Sequence, residues 1–72
     1  MNAKIIGEDS EDIGLSVVDN NGESHQIELH KESGEIYAHV CDGYADKPRD
    51  RTPDENEYNG QARRYAKYYV YQ

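Results

Sequence analysis

The clearest signal along the chain is a period of two. Apolar residues stand at Ile13, Leu15 and Val17, with polar or small residues between them. The pattern returns from Ser24 to His30, where His25, Ile27 and Leu29 share one side and Gln26, Glu28 and His30 the other. It returns again from Glu35 to Cys41, with Ile36, Ala38 and Val40 against Tyr37, His39 and Cys41. Alternation of this kind marks strands with one face buried. Ala3–Gly7 reads as a shorter strand, separated from the next by the acidic run Glu8–Asp12. The strands are expected at about 3–7, 13–18, 24–30 and 35–41.

The turns fix how these strands pair. Asn20-Asn21-Gly22 is a strong turn signal, because Asn and Gly tolerate positive φ. A two-residue turn would set Val17 opposite Gln26 and mix the faces. A three-residue loop, with Gly22 in the left-handed bulge position, instead pairs Leu15 with Ile27 and Ile13 with Leu29. The loop Lys31–Gly34 places His30 opposite Glu35, and an unbroken ladder then sets Leu29 against Ile36, Ile27 against Ala38 and His25 against Val40. Both turns predict one apolar face: Ile13, Leu15, Val17, Ile27, Leu29, Ile36, Ala38 and Val40.

Residues 42–51 have no period and contain Gly43 and Pro48, so they read as a loop. Thr52-Pro53-Asp54-Glu55 has the composition of a capping box with proline at the first helical position. A helix is expected over about 53–69. Its acids would lie at the positive end, and Arg63, Arg64 and Lys67 at the negative end, as the dipole favours. Tyr58, Ala62, Tyr65 and Tyr69 recur at spacings of four, three and four, so they share the face that would cover the sheet. The expected architecture is α+β: a three- to four-stranded antiparallel meander packed against one C-terminal helix, in the order β-β-β-β-α, as a single domain over 1–72.

Composition bounds the function. Of 72 residues, 15 are acids and 8 are bases, for a net charge of −7, and Phe and Trp are absent. A chain of this size buries only roughly 60% of its unfolded surface, so its stability is expected to be marginal. It has no apolar run long enough to span a membrane, and its N-terminus does not resemble a secretory signal. The single cysteine excludes an internal disulfide. These features imply a cytoplasmic protein. The charge is uneven. Residues 1–41 carry −7 and residues 42–57 carry −3, whereas residues 58–72 carry +3 and five of the seven tyrosines.

Candidate chemistry is sparse. In the unbroken register His39 and Cys41 project from the outward face, with Gln26 opposite His39, and His30 lies roughly 13 Å from His39 at strand rise. A metal site needs three or four converging ligands, so neither metal nor cofactor is expected. His39 and Cys41 do not close a hydrogen bond from positions two apart on one strand, and a third orienting group is not apparent. An enzyme is therefore not expected. The C-terminal run interleaves Arg63, Arg64 and Lys67 with Tyr65, Tyr68, Tyr69 and Tyr71. Tyr and Arg are enriched at protein interfaces, and basic residues beside aromatic ones also suit nucleic acid. Arg63, Arg64, Lys67, Tyr68 and Tyr71 are the candidate partner-binding residues, with Tyr68 and Tyr71 off the core face.

The acid-rich, lysine-poor composition and the ending QARRYAKYYVYQ resemble small acidic proteins of salt-loving archaea or their viruses. That resemblance implies a fold kept stable by high salt and carries no site. The leading expectation is a small non-enzymatic interaction module, bound to an unidentified protein or to a second copy of itself. The alternatives are an acidic mimic of nucleic acid that blocks a DNA-binding protein, and direct nucleic-acid binding through the basic helix. At molar salt the Debye length falls to about 3 Å, which removes most self-repulsion among exposed acids. The melting temperature is accordingly expected to rise steadily from 0.1 M toward molar KCl in thermal unfolding monitored by circular dichroism; a flat dependence contradicts adaptation to salt.

Overall fold

The computed structural model describes residues 1–44, 47–48 and 57–72. Strands β1 (Asn2–Glu8), β2 (Asp12–Val18), β3 (Ser24–His30), β4 (Ile36–Tyr44) and the two-residue β5 (Lys47–Pro48) form an antiparallel sheet in sequential order, and helix α1 (Asn59–Tyr71) follows. This is the α+β meander-and-helix architecture expected from the pattern. No helix among the described residues is long and apolar enough to cross a membrane.

The β2–β3 hairpin follows its turn chemistry. Leu15 pairs with Ile27 and Ile13 with Leu29. Gly22 takes φ 87°, a region that costs an L side chain strain. The carboxylate of Asp19 organises the loop: Oδ1 accepts the backbone N–H groups of Asn21 at 2.8 Å and Glu23 at 3.0 Å. The β1–β2 turn is built the same way. Asp9 Oδ1 accepts from the N–H groups of Glu11 and Asp12. Those two bonds are the main reason its carboxyl titrates below the usual range.

The β3–β4 hairpin departs from the expected ladder. Leu29 pairs with Ile36 as its turn requires, but Glu28 then pairs with Ala38. Tyr37 is an extra residue, a β-bulge. Because side chains alternate with period two, one inserted residue exchanges the faces of everything beyond it. Ile27 therefore faces His39 and His25 faces Cys41, while Gln26 pairs with Val40. The expected placement of Ala38 and Val40 in the core is corrected: Val40 is exposed, whereas His25 and Cys41 are fully buried. A second irregularity, at Asp42, lies between the Cys41 and Gly43 pairings. The strand then continues to Tyr44 and pairs with Lys47–Pro48, within the stretch expected to be a loop. Proline is tolerated there because β5 is an edge strand.

The helix begins at Asn59, later than expected. Glu57 and Tyr58 form a turn, and the first helical bond runs from Ala62 N–H to the Tyr58 carbonyl at 2.8 Å. The expected capping box at Thr52–Glu55 lies outside the described residues. The helix also runs two residues beyond Tyr69. Arg63 and Arg64 thus sit in its early turns, and its last turn carries no basic residue, which corrects the expected match to the dipole. Ala62 and Ala66 are fully buried against Ile13, Leu15, Val17, Ile27 and Leu29, with Tyr65, Tyr69 and Val70 packed around them. Two alanines one turn apart let the helix backbone lie close to the sheet. Tyr71 fastens the far end: its hydroxyl lies within hydrogen-bonding reach of the carbonyls of His30 and Lys31. Its ring covers Gly34, which has φ 76°.

The bulge makes a testable difference between two neighbouring positions. Val40→Thr is expected to change stability by no more than about 0.5 kcal/mol, as for other surface positions, while Ile27→Ala should cost about 2–5 kcal/mol. Urea unfolding of both variants checks this; a large loss for Val40→Thr would restore the unbroken ladder.

Candidate metal centre

Four polar side chains converge at the end of the inner face of the sheet, beyond the aliphatic core. β3 contributes His25 and β4 contributes His39 and Cys41; the β2–β3 loop contributes Asp19. His25 Nδ1 is 2.9 Å from His39 Nε2 and 3.5 Å from Cys41 Sγ, and all three candidate ligand atoms lie within 4.8 Å of one another. The other nitrogen of His25, Nε2, is 2.8 Å from Asp19 Oδ2. His25, Cys41 and Asp19 are buried, while His39 is half-buried. The carboxylate that closes the hairpin loop therefore also orients the imidazole.

The hydrogen bonds assign the protons. Arg63, reaching over from α1, donates Nε–H to His39 Nδ1 at 2.9 Å. An arginine can only donate and a carboxylate can only accept. His39 must then carry its proton on Nε2 and donate it to His25 Nδ1, and His25 donates Nε2–H to Asp19. The result is a directed chain: Arg63, His39, His25, Asp19.

The same arrangement fits a metal ion. Cys thiolate and imidazole nitrogen are the usual ligands of zinc. Bound tetrahedrally at about 2.05 Å (N) and 2.3 Å (S), they are separated by about 3.3 Å for N···N and 3.6 Å for N···S. The observed 2.9 and 3.5 Å are within a few tenths of two of those edges, while the group as a whole spans up to 4.8 Å, so His39 and Cys41 would draw closer around a bound ion. Asp19 supplies the outer carboxylate that metal-ligating histidines commonly have, holding the proton on Nε2 so that Nδ1 points its lone pair into the cluster. Among the described residues, His25, His39 and Cys41 form a group that could hold a metal ion. The expectation that no metal ligands converge, which rested on outward-facing His39 and Cys41, is overturned by the bulge at Tyr37.

The residues singled out in the C-terminal run divide into two groups. Arg63 is bonded to His39, and the Tyr71 hydroxyl is engaged with the carbonyls of His30 and Lys31, although both residues remain exposed. Arg64, Lys67 and Tyr68 are exposed, Tyr68 to 62%, and the Tyr68 ring leans on Tyr65 at a centroid distance of 6.3 Å. His30 is on the opposite face of the sheet, as its place in the alternation implies. It stacks on Tyr37 at 4.5 Å and bonds to Asp12. Burial, and then the carboxylates of Asp12, Glu28 and Asp9, push the Tyr37 hydroxyl above its usual range. Asp19 and His25 were not legible as site residues. One reads as turn chemistry and the other as a polar member of an apolar stripe. The only sequence signal was the pair His39 and Cys41, two apart on a strand beside His25.

Comparison with known proteins gives a family without a function. No curated protein and no solved structure matches the chain. Residues 1–72 match a family described as a family of unknown function, DUF7958. The chain belongs to that family over all of these residues.

Proposed function

We propose that the protein is a small, non-enzymatic, metal-binding interaction module that holds one zinc-class cation on His25 Nδ1, His39 Nε2 and Cys41 Sγ. The observation that carries this reading is the convergence of three ligand atoms within 4.8 Å, with Asp19 bonded behind the fully buried His25. Among divalent ions, a mixed imidazole–thiolate set favours zinc over magnesium or calcium, which take oxygen ligands. Two depressions among the described residues, one lined by Ser10–Asp12 and His30–Ser33 and another by Ile6–Asp9, Asp12–Gly14, Glu28 and Tyr37, lie away from the cluster. The reading fits a reducing, cytoplasmic setting, where Cys41 stays a thiol.

The partner surface of this module is the exposed basic–aromatic stripe Arg64, Lys67 and Tyr68 on α1. It suits an acidic protein surface or the acidic sheet of a second copy, in which Ile6, Tyr37 and Val40 are exposed on the side away from the helix. Nucleic acid is a weaker fit to the stripe, since Arg63 and Tyr71 are engaged within the fold. The surface acids suit a high-salt environment. They also leave mimicry of nucleic acid as the alternative, in which a basic protein binds the sheet.

Zinc should bind with one ion per chain in isothermal titration calorimetry. A ligand at a hundred times its Kd stabilises the native state by about 2.7 kcal/mol, and in a domain this small each kcal/mol raises Tm by roughly 4–8 °C. A rise of about 10–20 °C on zinc addition is therefore expected, reversed by chelator. Cobalt should give an absorption band from thiolate-to-metal charge transfer that Cys41→Ser abolishes. Unchanged Tm together with no cobalt–thiolate band contradicts the reading. Because thiolate and neutral imidazole are the ligating forms, affinity should weaken as pH falls below neutrality.

A further inference from the structure

The contact between Arg63 and His39 has a consequence for metal binding. Arg63 Nε–H donates to His39 Nδ1 at 2.9 Å, so Nδ1 holds the lone pair and Nε2 holds the proton. A metal bound at His39 Nε2 requires the reverse: the lone pair on Nε2 and the proton on Nδ1. An Nδ1–H cannot accept a hydrogen bond from a guanidinium. The Arg63 bond and the metal thus demand opposite tautomers of one imidazole. His25 does not have this conflict, because Asp19 holds its proton on Nε2 in both states.

We propose that Arg63 is a competitive latch on the metal site. In the metal-free protein its guanidinium occupies His39 and joins α1 to β4. Metal binding to Nε2 expels it. This inference rests on the reading of His25, His39 and Cys41 as metal ligands, and adds to it a residue that ligates nothing. The proton balance is simple. The Nε2 proton of His39 leaves and an equivalent proton is taken up at Nδ1, so His39 stays neutral; Cys41 loses its thiol proton to solvent, and one proton is released per metal bound.

The placement of Arg63 gives the exchange an external readout. It stands on α1 directly before Arg64 and one turn before Lys67. Arg63 is itself exposed while its Nε is bonded to His39, so metal binding leaves the charge of the surface unchanged and alters where that cation points. Occupancy of a site between β3 and β4 is thereby carried to the position of one cation on the helix surface, with no movement of the backbone required. The latch also has a cost for metal binding. Losing a hydrogen bond from a charged donor subtracts from the affinity the ligands would otherwise show.

The test compares zinc binding by the full chain and by Arg63→Met, which keeps an unbranched apolar stem on the helix but removes the donor. Arg63→Met is expected to bind zinc about tenfold or more tightly at neutral pH, the effect of deleting one charge-assisted hydrogen bond. Nitrogen-15 NMR of the imidazoles gives a readout that a merely structural role would not move. The metal-free wild-type chain should show His39 in the Nε2–H tautomer, and the zinc-loaded chain the Nδ1–H tautomer. Circular dichroism establishes that the variant is folded. Zinc binding by both proteins with equal affinity overturns the latch and leaves the metal site standing. An Nδ1–H tautomer in the metal-free wild type also overturns the latch alone. Failure of the wild type to bind zinc overturns the metal reading, and the latch with it.

Discussion

One extra residue in β4 decides the chemistry of this protein. The Lys31–Gly34 turn delivers Ile36 to the core opposite Leu29, and from there a regular strand would bury Ala38 and Val40. Tyr37 instead bulges outward, where its ring stacks on His30. The alternation restarts one residue out of step, and His39 and Cys41 turn inward. The price is a less apolar interior in a chain with little apolar material to begin with. The return is a polar pole at one end of the sheet, set against an aliphatic core of Ile13, Leu15, Val17, Ile27 and Leu29.

That pole is stable only if its polar groups are satisfied, because burying an unpaired polar group costs on the order of 1–3 kcal/mol. Asp19 meets most of this demand. Its two carboxylate oxygens accept from two backbone N–H groups of the hairpin loop and from His25. Loop closure and imidazole orientation are thereby the work of a single side chain. A loop that frays would also free the imidazole, so folding and ligand geometry are coupled through Asp19. On the other side of the cluster, Arg63 ties His39 to the helix. Among the described residues, the helix is held by Ala62 and Ala66 over the core, by Arg63 at the polar pole and by Tyr71 at the β3–β4 turn.

The sequence was legible wherever local chemistry and period agree. The Asn20–Gly22 loop and the pairings of Leu15 with Ile27 and Ile13 with Leu29 follow from positive-φ residues and alternation together. The four-residue turn at Lys31–Gly34 follows likewise, and its bonds between His30 and Glu35 and between Gly34 and His30 are present. The bulge was not legible, because Ile36-Tyr37-Ala38-His39-Val40-Cys41 alternates well in either phase. Ala38 and Val40 make an acceptable core face, and only the alternative places His39 and Cys41 beside His25. The choice between phases is tertiary: it depends on what lies across the strand and over the face. The helix that is described starts at Asn59, with its first bond at Tyr58, in a segment positioned by Ala62 and Ala66 on the sheet.

The central claim is that the bulge brings two imidazoles and one thiolate onto a common cation. Zinc K-edge X-ray absorption on the zinc-loaded chain measures that coordination directly. The expected first shell has one sulfur at about 2.3 Å and two imidazole nitrogens at about 2.0–2.1 Å, completed by a light atom. A shell of oxygen and nitrogen without sulfur would place the ion elsewhere, and would contradict the inward orientation of Cys41 as a ligand beside His25 and His39.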